Sequence, residues 1–123
     1  MEQSKKYELL NTDTIVLGDV TLYRIKALIS FGAVKKGELG GYVEKESNLC
    51  HSGNAWVSGN AKVNGDAEVK GDAWVSGDAW VYDNAEVSGN AWVTGDARVY
   101  GYAVVSSNAK FSDNAWVYGR QPK

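Results

Sequence analysis

From Gly53 to Tyr118 apolar and polar positions recur with a period of six, Gly-(Asn/Asp)-Ala-x-Val-x, eleven times without an insertion. In full the run reads GNAWVS, GNAKVN, GDAEVK, GDAWVS, GDAWVY, DNAEVS, GNAWVT, GDARVY, GYAVVS, SNAKFS, DNAWVY. Within each hexad Ala-x-Val-x alternates apolar and variable, the period-two mark of a short strand with one buried face. The Gly and the Asn or Asp that follow tolerate left-handed backbone angles and tight corners. Each phrase therefore predicts one short strand and one corner. Strands this short become stable only when the chain coils and equivalent strands stack about 4.8 Å apart.

The variable positions set the number of hexads per coil. The outward residue between Ala and Val, read every third hexad, gives Trp56, Trp74, Trp92, Lys110; then Lys62, Trp80, Arg98, Trp116; then Glu68, Glu86, Val104. The residue after Val sorts in the same way into Ser58, Ser76, Thr94, Ser112; then Asn64, Tyr82, Tyr100, Tyr118; then Lys70, Ser88, Ser106. Three hexads per coil thus separate a tryptophan ladder, an aromatic-cationic face and a plain polar face. An 18-residue, three-sided coil follows. SNLCHS (Ser47–Ser52) reads as a degenerate further hexad with His51 at the inward valine position, for about four coils.

The inner columns are simple: all eleven Ala positions keep alanine, and ten of the eleven Val positions keep valine. Such a prism is filled by small side chains and leaves no ligand pocket inside. Phe111 replaces Val in the last coil and is expected to plug the end of the column.

These residues resemble the hexapeptide-repeat, left-handed parallel β-helix superfamily, over residues 53–118. The resemblance implies an all-β fold and supplies the handedness, against the usual crossover preference. LYRIKAL, GELGGYVE and then GNAWV together resemble hexapeptide-repeat proteins encoded by bacteriophages and prophages, which implies a source more than a mechanism.

Residues 1–46 break the period and read as a cap over the first end of the β-helix, whose unpaired strand backbone would otherwise invite aggregation. Extended runs are expected over Thr14–Leu17 and Val20–Ile29, joined around Gly18-Asp19, with a helix over Tyr23–Phe31 as the competing reading. FGAVKKGELGGYVEKE, rich in glycine and charge, reads as a loop. At the other end residues 119–123 form a short tail with Pro122, thin cover for the last coil. That coil is expected to pair with another chain, most simply a second copy.

Charge and composition then narrow the function classes. The net charge is −2, with seven acids and seven bases in residues 1–52 and eight acids and six bases in residues 53–123. No basic stripe collects phosphates, so direct nucleic-acid binding is not expected. No apolar stretch reaches the length of a membrane span, the N-terminus lacks a signal-like apolar region, and one cysteine makes no internal disulfide. A soluble protein of a bacterial cytoplasm is the expectation.

Acyltransferases are prominent in the resembling superfamily and use a histidine base near a coil edge. His51, the one histidine, is the alternative catalytic residue. Its inward register and the absence of a protruding loop to enclose an acyl donor favour a packed or capping role. Cys50 beside it lacks a second ligand cluster, so neither a metal nor a cofactor is expected. The repeated Gly-Asp pairs are explained by corner chemistry rather than by calcium.

The aromatic faces remain. Trp56, Trp74 and Trp92 form one ladder; Lys62, Trp80, Tyr82, Arg98, Tyr100, Trp116 and Tyr118 gather on the next face. Cross-strand aromatic pairs stabilise sheets by about 0.2–1 kcal/mol each. Outward tryptophans over a core already closed by Ala and Val exceed that need, and Trp, Tyr and Arg dominate interface energies. The sequence thus predicts a non-catalytic, phage-type interaction protein that self-associates through its C-terminal coil or an aromatic face. Its expected partner is a bacterial host protein, with a defence system such as CRISPR-Cas as one specific form. A small acyltransferase and a carbohydrate-binding or virion module are the alternatives.

Overall fold

The structure, a computed structural model, describes residues 5–51 and 53–118; Ser52, residues 1–4 and the tail over 119–123 lie outside the described residues. Among the described residues the fold is all-β apart from a single 3-10 turn at Glu46–Asn48. It forms a three-sided parallel β-solenoid of about four coils, entered through an antiparallel N-terminal segment.

Each hexad contributes one strand of two or three residues: β4 (Trp56–Val57), β5 (Lys62–Val63), β6 (Glu68–Val69), β7 (Trp74–Val75), β8 (Trp80–Val81), β9 (Glu86–Val87), β10 (Trp92–Val93), β11 (Arg98–Tyr100), β12 (Val104–Val105), β13 (Lys110–Phe111) and β14 (Trp116–Tyr118). The three-hexad coil is borne out: Trp56 pairs with Trp74, Lys62 with Trp80 and Glu68 with Glu86, all parallel. Backbone bonds repeat with the same spacing, Trp56 N–H donating to Ala73 O at 3.1 Å and Trp74 N–H to Ala91 O at 3.0 Å. The corners turn on left-handed residues. Gly95, at φ +65°, shows why glycine fits: a Cβ there would lie 2.6 Å from Asp113 N in the next coil. Asp83, Ser107 and Asp113 hold the same left-handed backbone without glycine.

Every Ala and Val of the inner columns from Ala55 to Val105 is buried. In the last coil Ala109, Phe111 and Ala115 are only partly covered, so Phe111 packs on the column without sealing it.

The N-terminal segment is more ordered than its sequence suggests. Strands β1 (Tyr7–Leu17) and β2 (Val20–Ala27) form an antiparallel hairpin over a turn at Gly18, φ +60°, and no helix forms over Tyr23–Phe31. The stretch expected as a loop contains β3 (Leu39–Val43), which pairs antiparallel with β2 and parallel with β5. Its glycines serve close approach rather than looseness. A Cβ on Gly40 would lie 2.5 Å from Val57 O, and one on Gly41 2.6 Å from Ala61 O. One sheet therefore runs β1-β2-β3-β5-β8-β11-β14 from the cap to the last coil.

Backbone carbonyls on the rim of the first coil are met by a different device on each side. On one, Tyr42 and Glu44 N–H donate to Ala61 and Val63 O at 2.9 and 3.1 Å. On the second, the buried Asn48 amide donates to Gly65 O at 3.2 Å and Ala67 O at 2.9 Å, while Cys50 N–H reaches Val69 O at 2.9 Å. On the third, the buried Lys6 ammonium donates to Ala55 O at 2.7 Å. These contacts close the first end.

Candidate interaction face

The sheet that runs the length of the molecule carries an outward column in which cations and aromatics alternate. In paired register it reads Arg24, Tyr42, Lys62, Trp80, Arg98, Trp116. The Arg24 guanidinium lies 4.4 Å from the Tyr42 ring centroid, and the Arg98 guanidinium lies 5.4 Å from the rings of both Trp80 and Trp116. Each cation is attracted to the negative face of a ring, a contact that strengthens as water is removed. Asp13 anchors the upper end, accepting from Arg24 Nε at 2.7 Å and from Tyr42 Oη at 3.1 Å.

Beside it runs a tyrosine column. The rings of Tyr82 and Tyr100 stack at 5.2 Å and 6°, and those of Tyr100 and Tyr118 at 5.5 Å and 19°. Trp80 leans on Tyr82 at 4.9 Å, and its indole N–H donates to Asn64 Oδ1 at 2.6 Å. Burial holds the Tyr82 phenol above its ordinary pKa, against the opposing pull of Arg98. The strand spacing thus brings Lys62, Trp80, Tyr82, Arg98, Tyr100, Trp116 and Tyr118 into one continuous surface. Its cover thins toward the last coil, where Trp116 is 62% and Tyr118 66% exposed.

Arg24 and Tyr42 extend the column and were not among the expected site residues; Tyr42 is itself buried, with the Arg24 guanidinium over its ring. They lie in the non-repeating segment, where no period signals their register. The alternation below them was the available clue, because Lys62 calls for an aromatic neighbour above it.

The tryptophan ladder of the second side is divided. Trp92 is 49% exposed, with the Lys110 ammonium 5.4 Å over its ring. Trp74 is half-buried. Trp56, expected at the head of an exposed ladder, is fully buried and leaves that surface. The cap folds over it: Phe31 meets its ring edge-on at 5.3 Å and Tyr7 at 6.4 Å. Its indole Nε1 is the one buried side-chain polar atom with no hydrogen-bond partner among the described residues.

His51 does not take the inward valine position. Leu49 does, bridging Val69 while fully buried, so the degenerate hexad is shifted by two residues from the repeat register. The larger leucine fills the column end, and His51 moves out to stack on Tyr7 at 4.2 Å and 9°. Its Nδ1 accepts from Lys6 N–H at 3.0 Å, which leaves the ring proton on Nε2, aimed at Glu46 Oε1 at 3.1 Å. The lone pair a general base needs is already engaged. The bond from His51, with help from Lys5, holds the Glu46 carboxyl below its ordinary range.

His51 and the half-buried Cys50 line a shallow open groove with Glu46, Leu49, Glu68 and Lys70. Lys70 spans the polar third side, 2.8 Å from Glu86 and 3.6 Å from Glu68, and those carboxylates raise its pKa. Among the described residues no group of three or more His, Cys, Asp or Glu is placed to hold a metal ion, and no helix is long and apolar enough to cross a membrane. Compared with known proteins, the chain matches no family model and no curated protein.

Proposed function

We propose that this chain is a non-catalytic binding module that engages a partner protein through the aromatic-cationic face. The observation that carries the reading is the alternating column Arg24, Tyr42, Lys62, Trp80, Arg98, Trp116 flanked by stacked tyrosines. The core beneath is closed by alanine and valine without it, so stability leaves the enrichment in Trp, Tyr and Arg unaccounted for. The rings are held by stacking, so little side-chain freedom is lost when a partner covers them. Acyl transfer lacks comparable support, since His51 has its lone pair engaged by the Lys6 amide.

In its specific form the partner is a bacterial host protein, and the chain a phage-type inhibitor of it, with a CRISPR-Cas defence component as one such target. That form rests on the resemblance of LYRIKAL and GELGGYVE to phage hexapeptide-repeat proteins. The test is capture from bacterial lysate by the wild-type chain and by Tyr82→Glu, which places a charge in the tyrosine stack. A partner retained by wild type and by His51→Ala, but lost at least tenfold by Tyr82→Glu, is the expected result. Equal capture by all three, with matched far-UV circular dichroism, would sink the proposal.

A further inference from the structure

All three sheets of the solenoid end in one coil, at β12, β13 and β14. One coil earlier, Arg98 N–H donates to Ala115 O at 2.8 Å; Trp116 stands in the equivalent position, with no strand beyond it among the described residues. The same holds for Tyr118, whose counterpart two coils earlier, Tyr82, donates to Val99 O at 2.9 Å. The outermost strand thus directs backbone groups of Trp116 and Tyr118 away from the molecule, beneath the two most exposed rings of the ladder.

We infer that β14 pairs with β14 of a second copy of this chain, antiparallel, about a two-fold axis through Val117. A strand edge of this kind is a template for another strand, and this one is complementary to itself. With Val117 opposite Val117 of the other copy, the outward-bonding Trp116 and Tyr118 stand opposite Tyr118 and Trp116. Their backbone groups exchange hydrogen bonds, and their rings lie within cross-strand contact. No charged residue occurs in Trp116-Val117-Tyr118, so no like charges are brought face to face. The pairing also brings two half-covered column ends toward each other, with Phe111, Ala109 and Ala115 on each side.

Head-to-tail growth is disfavoured by the other end. There the carbonyl rim is met by β3, Asn48 and Lys6, and the sheet's opposite edge strand β1 is interrupted by a bulge between Leu10 and Thr14. The assembly therefore closes as a two-fold dimer rather than extending into a fibre. Its seven-stranded sheet continues into that of the second copy and sets two ladders on one face. This dimer does not depend on the proposed partner binding.

The full chain measured by light scattering tests it. A mass twice the 13.3 kDa of one chain is expected. Tyr118→Pro, which removes one outward N–H, should return the mass to that of one chain while circular dichroism is unchanged. In a Cys50→Ser background, Val117→Cys should give a disulfide-linked dimer on mild oxidation, since only the two-fold register sets residue 117 opposite itself. A wild-type monomer overturns the inference, whether its edge is covered by residues beyond Tyr118 or left bare. So does a dimer that survives Tyr118→Pro and fails to cross-link at residue 117. Tyr82→Glu separates the two readings: it should remain dimeric while losing the partner.

Discussion

Asn48 joins the cap to the first coil, and its replacement by aspartate is the sharpest test of how that junction works. The side chain is fully buried. Its Nδ2 donates to Gly65 O and Ala67 O at 3.2 and 2.9 Å, and its Oδ1 accepts from Glu44 and Lys45 N–H at 3.0 and 2.9 Å. With two carbonyls on one side and two amides on the other, a single amide orientation satisfies all four groups. Asn48→Ala leaves Gly65 O, Ala67 O and Lys45 N–H without a partner, while Glu44 N–H keeps Val63 O; at about 1 kcal/mol each, the loss is about 3 kcal/mol. Asn48→Asp has the same shape and retains the acceptor but turns a carboxylate oxygen toward two carbonyls. At neutral pH it should cost at least as much as alanine, because one oxygen of a buried carboxylate then faces only the Gly65 and Ala67 carbonyls. The folded state favours the protonated acid, so the aspartate pKa is raised on folding. Stability lost at pH 7 should therefore return as pH falls toward about 4, the ordinary aspartate range. Urea unfolding of wild type and both variants at pH 4 and 7 measures this. If Asn48→Asp lies within about 0.5 kcal/mol of wild type at pH 7, the span of an ordinary surface substitution, the capping account is refuted.

Two further outcomes follow from the cap. Trp56 is sealed under Phe31 and Tyr7 while Trp92 and Trp116 are exposed, so acrylamide should leave a blue-shifted, protected emission component. Trp56→Phe should remove that component, and uniform quenching of wild-type fluorescence would contradict the burial. Burial pushes the Lys6 ammonium from its ordinary 10.5 down to about 8. Between those pH values the unfolded chain holds more protons than the folded one, so this group makes stability rise with pH across the window. Burial first, then Glu46 and Cys50, raise the Tyr7 phenol above its ordinary 10.0, which makes stability fall as pH rises beyond 10. In Lys6→Met the rise should vanish and the fall remain, as read from urea midpoints between pH 7 and 11.

The repeat was legible because its information is local and periodic. Ala and Val two residues apart define a buried strand face, Gly with Asn or Asp defines a corner, and sorting by threes gives the register that stacks Lys62, Trp80, Arg98 and Trp116. Each coil makes the same contacts as the one before, so one hexad speaks for the rest. The cap has no such redundancy. Whether Trp56 heads a ladder or lies under Phe31, whether Gly40 and Gly41 belong to a loop or a strand, and whether Leu49 or His51 faces inward depend on contacts between distant segments. A glycine chosen for flexibility and one chosen for close approach are the same letter. Sequence alone thus determined the solenoid and most of its aromatic-cationic face. Only the tertiary structure decided where that column begins, at Arg24 on β2 and Tyr42 on β3, because β3 takes its register from the first coil and β2 takes its own from β3.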